Sequence, residues 1–327
     1  MQKSLQIPIN KLESVSGILL TCSSRKIHIV NWLKCSLKKI KSQKKLFLAD
    51  SNSEAISRCF TKYFWVMPTL QQSNFNKILK FLLKKNIQII FPSSDFELLF
   101  WAKYRDILRK KKIFVMISDF KTVKICLDKY LFYNFLVQNK IKTIPTSLKI
   151  DTIISKKYVV KSRFGYGSKN CFLNLSYKEA KTFSKSIKNS VFQKFIDGDE
   201  VSIDCYISLQ GKYKILMRHR KSINLGESEH IVFFKDKRIY LTIEKLINKL
   251  PFYGHIMFQG IISKGVFYVM ECNPRIGGAS ATCYYKDLDS FFEFISENLN
   301  IKKNNFKKLK FIKKNNFILH KTITPID

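Results

Sequence analysis

Several motifs that define common enzyme classes are missing from this sequence. Neither the GxGxxG glycines of dinucleotide-binding folds nor the GxxxxGKS/T P-loop occurs in its 327 residues. No Ser-His-Asp or Cys-His arrangement stands out, so catalysis by a side-chain nucleophile has no support. The chain also lacks internal repeats and low-complexity linkers. These absences argue against dinucleotide-dependent, P-loop and covalent enzymes.

Disulfide, zinc and membrane patterns are missing as well. The eight cysteines are scattered without a CxxC pair, mostly in apolar contexts, which predicts reduced core thiols. The first ten residues have no apolar run of the kind a signal peptide needs. No later stretch reaches the ~20 apolar residues of a membrane span. We therefore expect a cytoplasmic protein without a membrane partner.

Basic residues are abundant, but arginine is scarce. The formal net charge is +35, which would concentrate nucleic acid or anionic membranes around the protein. Only nine of the 59 basic residues are arginine, although the guanidinium group is the better ligand for phosphates and bases. Lysine in place of arginine, with abundant Asn, Ile and Phe, is typical of an AT-rich coding bias. A solvated lysine surface is the preferred interpretation, and nucleic-acid binding is the alternative.

The first third of the chain alternates short apolar runs with segments of helical period. This pattern predicts a parallel sheet with crossover helices, Rossmann-like in layout. With 46% apolar residues, the chain can form two or three packed subdomains. Predicted strands span residues 17–22, 45–50, 64–67, 87–91 and 113–117, and residues 78–84 form a predicted helix.

The pattern changes after residue 117. Residues 118–140 form a predicted helical segment that begins at Ser118 and Asp119, and Pro145 ends the connection behind it. Apolar and polar residues then alternate with period two over residues 201–208, and a turn at Gly211 makes a hairpin. Residues 302–316 form a basic run, interpreted as a solvated helix before a last strand at residues 317–322.

The segment VMECNPR, residues 269–275, carries the strongest chemical signal. A turn at residues 263–265 joins it to the preceding strand as an antiparallel hairpin with a three-residue loop. Glu271 and Asn273 are two apart on one strand and therefore point to the same face. Counting pairs outward from the turn places Gln259 on that face, diagonal to Glu271 at a distance of ~7 to 8 Å.

Three oxygen-bearing side chains are thus expected to converge. Mg²⁺ prefers hard oxygen ligands and takes only a few from protein, sharing the rest with water and nucleotide phosphates. Gln259, Glu271 and Asn273 meet this requirement. Pro274 ends the strand, and Arg275 just beyond it could hold a transferring phosphoryl group as a planar cation. The alternative is a hairpin that merely ends in polar residues.

Two weaker signals precede this hairpin. A buried strand ends in Lys161, and a loop that contains Gly165, Gly167 and Ser168 follows directly. Exposed N–H groups in such a loop can hold phosphates, and the lysine adds a point charge, although short glycine turns are common. In the segment QKFIDGDE, residues 193–200, a strand edge can pair with adenine and a following carboxylate can bind ribose hydroxyls.

Taken together in this order, the three segments resemble the ATP-grasp superfamily. The likeness is best to ligases similar to the ATP-binding half of the carbamoyl-phosphate synthase large subunit, and it covers nearly the whole chain. Residues 91–98 fall where that family has a strand-end acidic loop, and Lys129 falls where it has a lysine before the lid. The resemblance implies an α/β and α+β fold with three parts. They are a Rossmann-like pre-ATP-grasp domain at residues 1–117, a helical linker and lid at 118–197, and a carboxyl-terminal antiparallel grasp domain at 198–327.

The resemblance also implies a role for each matching residue. Arg275 and Lys161 look like the catalytic residues, and Gln259, Glu271 and Asn273 look like ligands for Mg²⁺, which Mn²⁺ could replace. The expected ATP-binding residues are Lys129 and Lys161 for the phosphates, Gly165, Gly167 and Ser168 in the lid loop, Gln193, Lys194, Phe195 and Ile196 at the adenine hinge, and Glu200 for the ribose.

The implied activity is ATP-dependent ligation of a small-molecule carboxylate to an amine through an acyl phosphate. Only one ATP site is present, so carbamoyl phosphate synthesis by this chain alone is disfavoured. The oligomeric state is left open, with a homodimer allowed. Arg218, His219 and Arg220 would face the cleft or form a basic surface strand. The alternatives are a nucleic-acid-binding protein on a decayed ATP-grasp scaffold and an ATP-grasp kinase that stops at a phosphorylated product.

Overall fold

A computed structural model describes residues 16–165, 170–224, 226–301 and 316–319. The amino-terminal part contains a five-stranded parallel sheet of order β3-β2-β1-β4-β5, which we call the parallel sheet. Its strands are β1 (Gly17–Leu20), β2 (Lys45–Asp50), β3 (Tyr63–Val66), β4 (Ile87–Phe91) and β5 (Phe114–Val115). Its crossover helices are α1 (Ile27–Lys39), α2 (Phe75–Lys84) and α3 (Asp95–Lys110).

The predicted parallel sheet with crossover helices is confirmed. Its central strands are continuously apolar because helices cover both faces, and Ile18, Leu19 and Leu20 are each 0% exposed. The first strand ends at Leu20, two residues before the predicted end, and Cys22 has a left-handed φ of 50°. The last strand is also shorter than predicted, with two residues instead of five.

A four-stranded sheet of order β6-β9-β7-β8, called the small sheet, follows. It consists of β6 (Thr146–Ser147), β7 (Tyr158–Ser162), β8 (Cys171–Leu175) and β9 (Ser190–Lys194), with α6 (Tyr177–Ser184) packed on it. The helical segment predicted before it is divided into α4 (Phe120–Leu127) and α5 (Lys129–Gln138). Asp119 and Asp128 each cap one of these helices by accepting hydrogen bonds from backbone N–H groups of its first turn.

A six-stranded antiparallel sheet, called the large sheet, forms the rest, in the order β14-β13-β10-β11-β12-β15. Its strands are β10 (Asp199–Ile207), β11 (Tyr213–Asn224), β12 (Glu227–Phe234), β13 (Gly254–Ser263), β14 (Val266–Asn273) and β15 (Asn316–Ile318), with α7 (Lys237–Ile247) and α8 (Ser290–Asn298). Ile203 and Cys205 pack with Ile243 of α7 in one buried cluster, as the period-two pattern predicts. The opposite face of the same strands carries the polar residues.

Among the described residues, four short 3-10 helices occur, at Ile56–Phe60, Gln72–Asn74, Ile150–Thr152 and Gly278–Lys286. All eight cysteines are free; Cys35 and Cys59 are exposed, so the predicted core position does not apply to these two. No helix among the described residues is long and apolar enough to cross a membrane. The basic run predicted as a helix lies almost entirely outside the described residues, and β15 begins at its last residue, Asn316.

The hairpin of β13 and β14 differs from its prediction in two ways. Ser263 pairs with Val266, so the loop has two residues, Lys264 and Gly265, instead of three. Their φ values of 48° and 74° are both positive, as in the type I′ turns that match the twist of the strands. A β-bulge also interrupts the ladder between Gln259 and Gly260. Together these features move the register by two residues.

Candidate nucleotide and metal site

The register of the hairpin places Gln259 directly opposite Glu271. The predicted diagonal placement is wrong, because it assumed a longer loop and no bulge. The corrected register brings the two side chains closer, since opposite residues are nearer than diagonal ones. Asn273 is two residues along the same strand and shares their face. The polar face of the large sheet therefore carries all three predicted ligands, Gln259, Glu271 and Asn273, which we call the trio.

These three side chains lie within hydrogen-bonding distance of one another. With its amide nitrogen turned toward the carboxylate, Gln259 donates to Glu271 Oε1 at 2.6 Å and accepts from Arg220 Nη1 at 3.0 Å. Asn273 Nδ2 lies 2.9 Å from the Gln259 side chain and 3.5 Å from Glu271 Oε1. One carboxylate and two amides converge on one point of the sheet, and their oxygen atoms are hard ligands.

The donor set suits a cation that keeps other ligands. Among the described residues, no group of three or more His, Cys, Asp or Glu could hold a metal ion. Glu271 supplies the only carboxylate of the trio, so a divalent ion here would depend on further oxygens. Mg²⁺ bound to nucleotide phosphates and water has this property. Gln259, Glu271 and Asn273 therefore fit a nucleotide-bound Mg²⁺ better than an ion held by protein alone.

Two lysines lie beside the trio. The Lys161 side chain on β7 is 6% exposed, and its ammonium group makes no hydrogen bond or ion pair with any described residue. Lys129 begins α5 and donates from Nζ to the Gly165 carbonyl at 2.9 Å. Burial opposes ionisation of Glu271, but Lys129 and Lys161 outweigh it and hold the pKa of that carboxyl below its usual range. The site thus combines a persistent carboxylate with two neighbouring lysine side chains.

Burial has the opposite effect on Lys161. It lowers the pKa of the ammonium group, and Lys129 lowers it further, while Glu271 opposes both. An anion that entered between the lysines would remove this conflict, because it would be attracted to both. The electrostatics of the site therefore favour a ligand that is rich in negative charge.

The predicted adenine hinge consists of the last two residues of β9 and the two residues that follow it. Gln193 is buried and donates from Nε2 to Thr146 Oγ1 at 2.7 Å, so its side chain holds β9 to β6. Phe195 N–H donates to the Lys157 carbonyl at 2.9 Å. Within the described residues, no backbone hydrogen bond uses the Phe195 carbonyl or the N–H of the next residue, Ile196. A free acceptor and a free donor therefore stand side by side, which is the pattern that an adenine edge can pair with. Lys194, the fourth predicted hinge residue, is exposed.

Glu200 and Arg275 are both engaged in ion pairs. Arg220 Nη1 donates to Glu200 Oε2 at 2.7 Å and so links Glu200 to the Gln259 end of the trio. Arg275 Nε donates to Asp95 Oδ1 at 2.9 Å, and its Nη2 contacts the second carboxylate oxygen. Asp95 starts α3, so this pair connects the parallel sheet to the end of β14. The Asp95 carboxylate outweighs burial and raises the pKa of Arg275, which therefore stays charged.

Residues 126–279 match the protein family described as the ATP-grasp domain. This stretch of the chain is an ATP-grasp domain. It contains every predicted ligand described above, together with Gly167 and Ser168 of the lid loop, which lie outside the described residues.

Solved structures with this fold extend the likeness beyond the ATP-grasp domain. The biotin carboxylase domain of Hydrogenobacter thermophilus 2-oxoglutarate carboxylase, in complex with MgADP, ADP and bicarbonate, has a TM-score of 0.70 and 14% identity, over 90% of this chain and 72% of that one. N5-carboxyaminoimidazole synthetase from Staphylococcus aureus, complexed with ADP, has a TM-score of 0.69 and 17% identity, over 86% of this chain and 76% of that one. L-amino acid ligase from Bacillus licheniformis has a TM-score of 0.68 and 16% identity, over 86% of this chain and 74% of that one. At these identities the likeness establishes the ATP-grasp fold. No curated protein matches the chain in sequence.

Sequence patterns missed a buried polar network beneath this site. Asp204 is 0% exposed; it accepts from Arg218 Nε at 2.7 Å and from the Ser280 hydroxyl, and lies 3.1 Å from His255 Nε2. Burial would raise the pKa of Asp204, but Arg218 and His255 outweigh it and hold that pKa well below its usual range. The available signal was an acid in the middle of an otherwise buried strand. The network joins β10, β11 and β13 to the segment that follows Arg275.

The basic strand segment divides between the two faces of the large sheet. Arg218 and Arg220 point to the polar face of the large sheet, where they contact Asp204 and Gln259, so neither expectation holds for all three residues. His219 points to the other face, where its ring centroid lies 4.0 Å from that of Phe234. Its Nδ1 atom has no partner among the described residues. His219 is therefore poorly placed to serve as a base at the trio.

Proposed function

We propose that this protein is an ATP- and Mg²⁺-dependent ligase that activates a carboxylate as an acyl phosphate for attack by an amine or another nucleophile. The observation that carries the proposal is the convergence of Gln259, Glu271 and Asn273 beside Lys129 and Lys161. Such a site matches the charge pattern of a nucleoside triphosphate with its divalent ion.

Each part of ATP has a proposed partner. Phosphate oxygens would lie between Lys129 and Lys161, which act as point charges. Adenine would pair with the free backbone groups at Phe195 and Ile196, and Glu200 would bind ribose hydroxyls while Arg220 orients its carboxylate. The loop that contains Gly165, Gly167 and Ser168 would close over the phosphates. In the proposed enzyme, residues 1–117 form the pre-ATP-grasp domain, 118–197 the linker and lid, and 198–327 the grasp domain.

Gln259, Glu271 and Asn273 would hold the Mg²⁺ ion of the nucleotide, and Mn²⁺ could take its place. When bound, the ion neutralises negative charge on the transferring phosphate and aligns it. The donor set supports this role, because its single carboxylate leaves the ion dependent on the nucleotide.

The proposed reaction has two displacements. A substrate carboxylate oxygen attacks the γ-phosphorus in line, the bond to the β-phosphate oxygen breaks, and ADP leaves. An amine then attacks the carbonyl carbon of the acyl phosphate, inorganic phosphate leaves with the electron pair, and the amine gives up a proton. Arg275 would stabilise negative charge in both steps, and Asp95 keeps its guanidinium plane fixed. The likeness to an L-amino acid ligase supports an amine as acceptor.

The first test is a substrate screen that measures ADP release with carboxylic acids in the presence and absence of amines. We expect ADP release that requires a carboxylic acid and a new carbon–nitrogen bond when an amine is added. A stable phosphorylated product without an amine would identify the kinase alternative. Salt-sensitive binding to DNA or RNA, with no ATP-dependent activity, would identify the nucleic-acid-binding alternative.

The Glu271→Gln variant tests the metal site directly. It keeps the shape of the side chain and removes the only carboxylate of the trio, so Mg²⁺-dependent ADP binding should weaken at least about tenfold. Isothermal titration with and without Mg²⁺ measures this change. Glu54→Gln, at an exposed position, is the matched control and should behave like the unmodified protein. Equal Mg²⁺ dependence in Glu271→Gln would contradict the metal assignment.

A further inference from the structure

A cavity of about 340 Å³ lies between α3 and the far end of the large sheet. Ile207, at the end of β10, lines it, whereas Glu200 lies at the other end of the same strand. Seven residues of extended strand span about 23 Å. The cavity is therefore remote from the nucleotide and metal site, and none of the roles proposed above involves it.

The walls of the cavity are largely apolar. Phe114 comes from the parallel sheet, and Ile207, Leu250 and Phe252 come from the large sheet and the loop before β13. Clefts and cavities of about 300 Å³ or more are typical of small-molecule sites. Such walls suit a ligand with an aromatic or branched aliphatic body.

Two arginines are the only charged residues among the described residues that line the cavity. Arg105 and Arg109 are four residues apart on α3, so their side chains share one face of the helix. Arg105 Nε lies 3.3 Å from the exposed carboxylate of Asp106, and its Nη1 donates to the Ile117 carbonyl at 3.5 Å, while the Arg109 guanidinium group has no hydrogen bond or ion pair with any described residue. None of the described residues that line the cavity is acidic. The guanidinium groups therefore face a space without a protein anion.

Tyr253 adds a third donor. Its hydroxyl oxygen accepts a hydrogen bond from Asn298 Nδ2 at 2.7 Å, so the hydroxyl hydrogen is free to point into the cavity. Burial raises the pKa of this phenol, which keeps the hydroxyl protonated at neutral pH. Donors thus converge on the cavity from α3 and from the loop before β13.

We propose that this cavity binds a small molecule in which an oxyanion, a carboxylate or a phosphate ester, is attached to an apolar body. The guanidinium forks of Arg105 and Arg109 match the geometry of such an oxyanion, and the Tyr253 hydroxyl adds a hydrogen bond. The apolar walls hold the remainder of the ligand. The inference does not rest on the proposed ligase function, because it uses none of the same residues.

The probes are benzoate, phenyl phosphate and neutral benzamide, measured by titration of the full-length protein with ligand-observed NMR. We expect saturable binding of benzoate, phenyl phosphate or both, and much weaker binding of benzamide. If the protein prefers one of the two anions, the class of that anion, carboxylate or phosphate ester, is the class of the ligand. Equal binding of benzamide, or no saturable binding of either anion, would overturn the proposal.

Two variants and a control locate the bound anion. Arg109→Gln changes an exposed side chain without partners, so the fold should be retained, and the affinity for the preferred anion should fall about tenfold. Arg105→Gln should have a similar effect. Arg58→Gln, on the parallel-sheet side but outside the cavity, should bind like the unmodified protein. Unchanged affinity in both cavity variants would place the anion elsewhere and refute the site.

Discussion

Lys161 shows how a single side chain reveals the chemistry of the site. A buried ammonium group without a hydrogen-bonded partner is costly, and burial lowers its pKa accordingly. Glu271 attracts the Lys161 ammonium group, but the same carboxylate also interacts with Lys129 and with the amides of the trio. A ligand anion that completes its surroundings would account for a buried ammonium group at this position.

The Lys161→Met variant separates a binding role from a structural one. Methionine fills a similar volume without charge, so we expect stability to hold or rise slightly while Mg²⁺-dependent ADP affinity falls at least about tenfold. Thermal unfolding and calorimetric titration measure the two effects. Lys157→Met, at an exposed lysine just before β7, is the control. A loss of stability with unchanged ADP affinity would assign Lys161 to the fold instead.

Asp204 is a second single residue with a large expected effect, in this case on the stability of the fold. It is buried with Arg218, and removal of one member of a buried ion pair leaves the other uncompensated. Asp204→Asn should therefore lower the free energy of unfolding by about 3 kcal/mol or more, measured by urea denaturation at pH 7. The double variant Asp204→Leu with Arg218→Met should recover much of the loss, because no buried charge remains unpaired. A single variant as stable as the unmodified protein would contradict this account.

The low pKa of Asp204 gives this effect a definite pH dependence. In the unfolded chain its pKa is about 3.9, and in the fold it is lower. The stabilisation is thus fully present above about pH 4 and is lost as the pH falls toward the folded value. The stability difference between Asp204→Asn and the unmodified protein should be constant from about pH 5 to 7, and should shrink only at lower pH.

At the scale of elements, the hairpin of β13 and β14 decides whether the trio can form. Its two-residue turn and its bulge each move the register by one residue, and together they place Gln259 opposite Glu271. The bulge depends on Gly260. A Cβ atom there would lie 2.4 Å from both the Tyr268 carbonyl oxygen and the Phe267 ring.

Gly260→Ala should therefore impair both the fold and the site. The strands would have to separate locally, so we expect a loss of about 2 kcal/mol or more in stability and weaker Mg²⁺-dependent ADP binding. Urea denaturation and calorimetry measure the two effects. Gly278→Ala is the matched control for stability, because no atom lies within 4 Å of the added Cβ and its φ is ordinary. Similar stability in the two variants would show that the bulge tolerates a side chain.

The same hairpin shows what sequence patterns can and cannot establish. The strands and their polar face were predictable, because side-chain direction alternates along a strand and the turn residues stand between two apolar runs. The loop length and the bulge were not, since both depend on cross-strand packing around Gly260. The partners of Asp204 and Arg275 come from distant segments, and no local pattern records such pairings.

At the scale of the whole molecule, the parallel and large sheets share one core. Leu20 of β1, Tyr206 of β10 and Phe291 of α8 belong to a single buried cluster. Asp289 accepts from Trp32 Nε1 at 3.0 Å and from Ser36 Oγ at 2.6 Å, which joins α8 to α1. The small sheet has a separate, smaller core that includes Tyr158 and Phe192. Lys161 and the hinge thus belong to the unit that shares the least packing with the rest.

This division predicts that the small sheet opens without global unfolding. Elements with few shared contacts open at a lower free energy than the main core, so amides of β7, β8 and β9 should exchange hydrogen faster than those of β10 and β13. MgADP should slow this exchange, because a nucleotide held by Lys161, the hinge and the trio would join the small sheet to the large one. Exchange of β1 amides serves as the internal control. Uniform exchange throughout the chain, or no effect of MgADP on the small sheet alone, would argue against a lid that closes on the nucleotide.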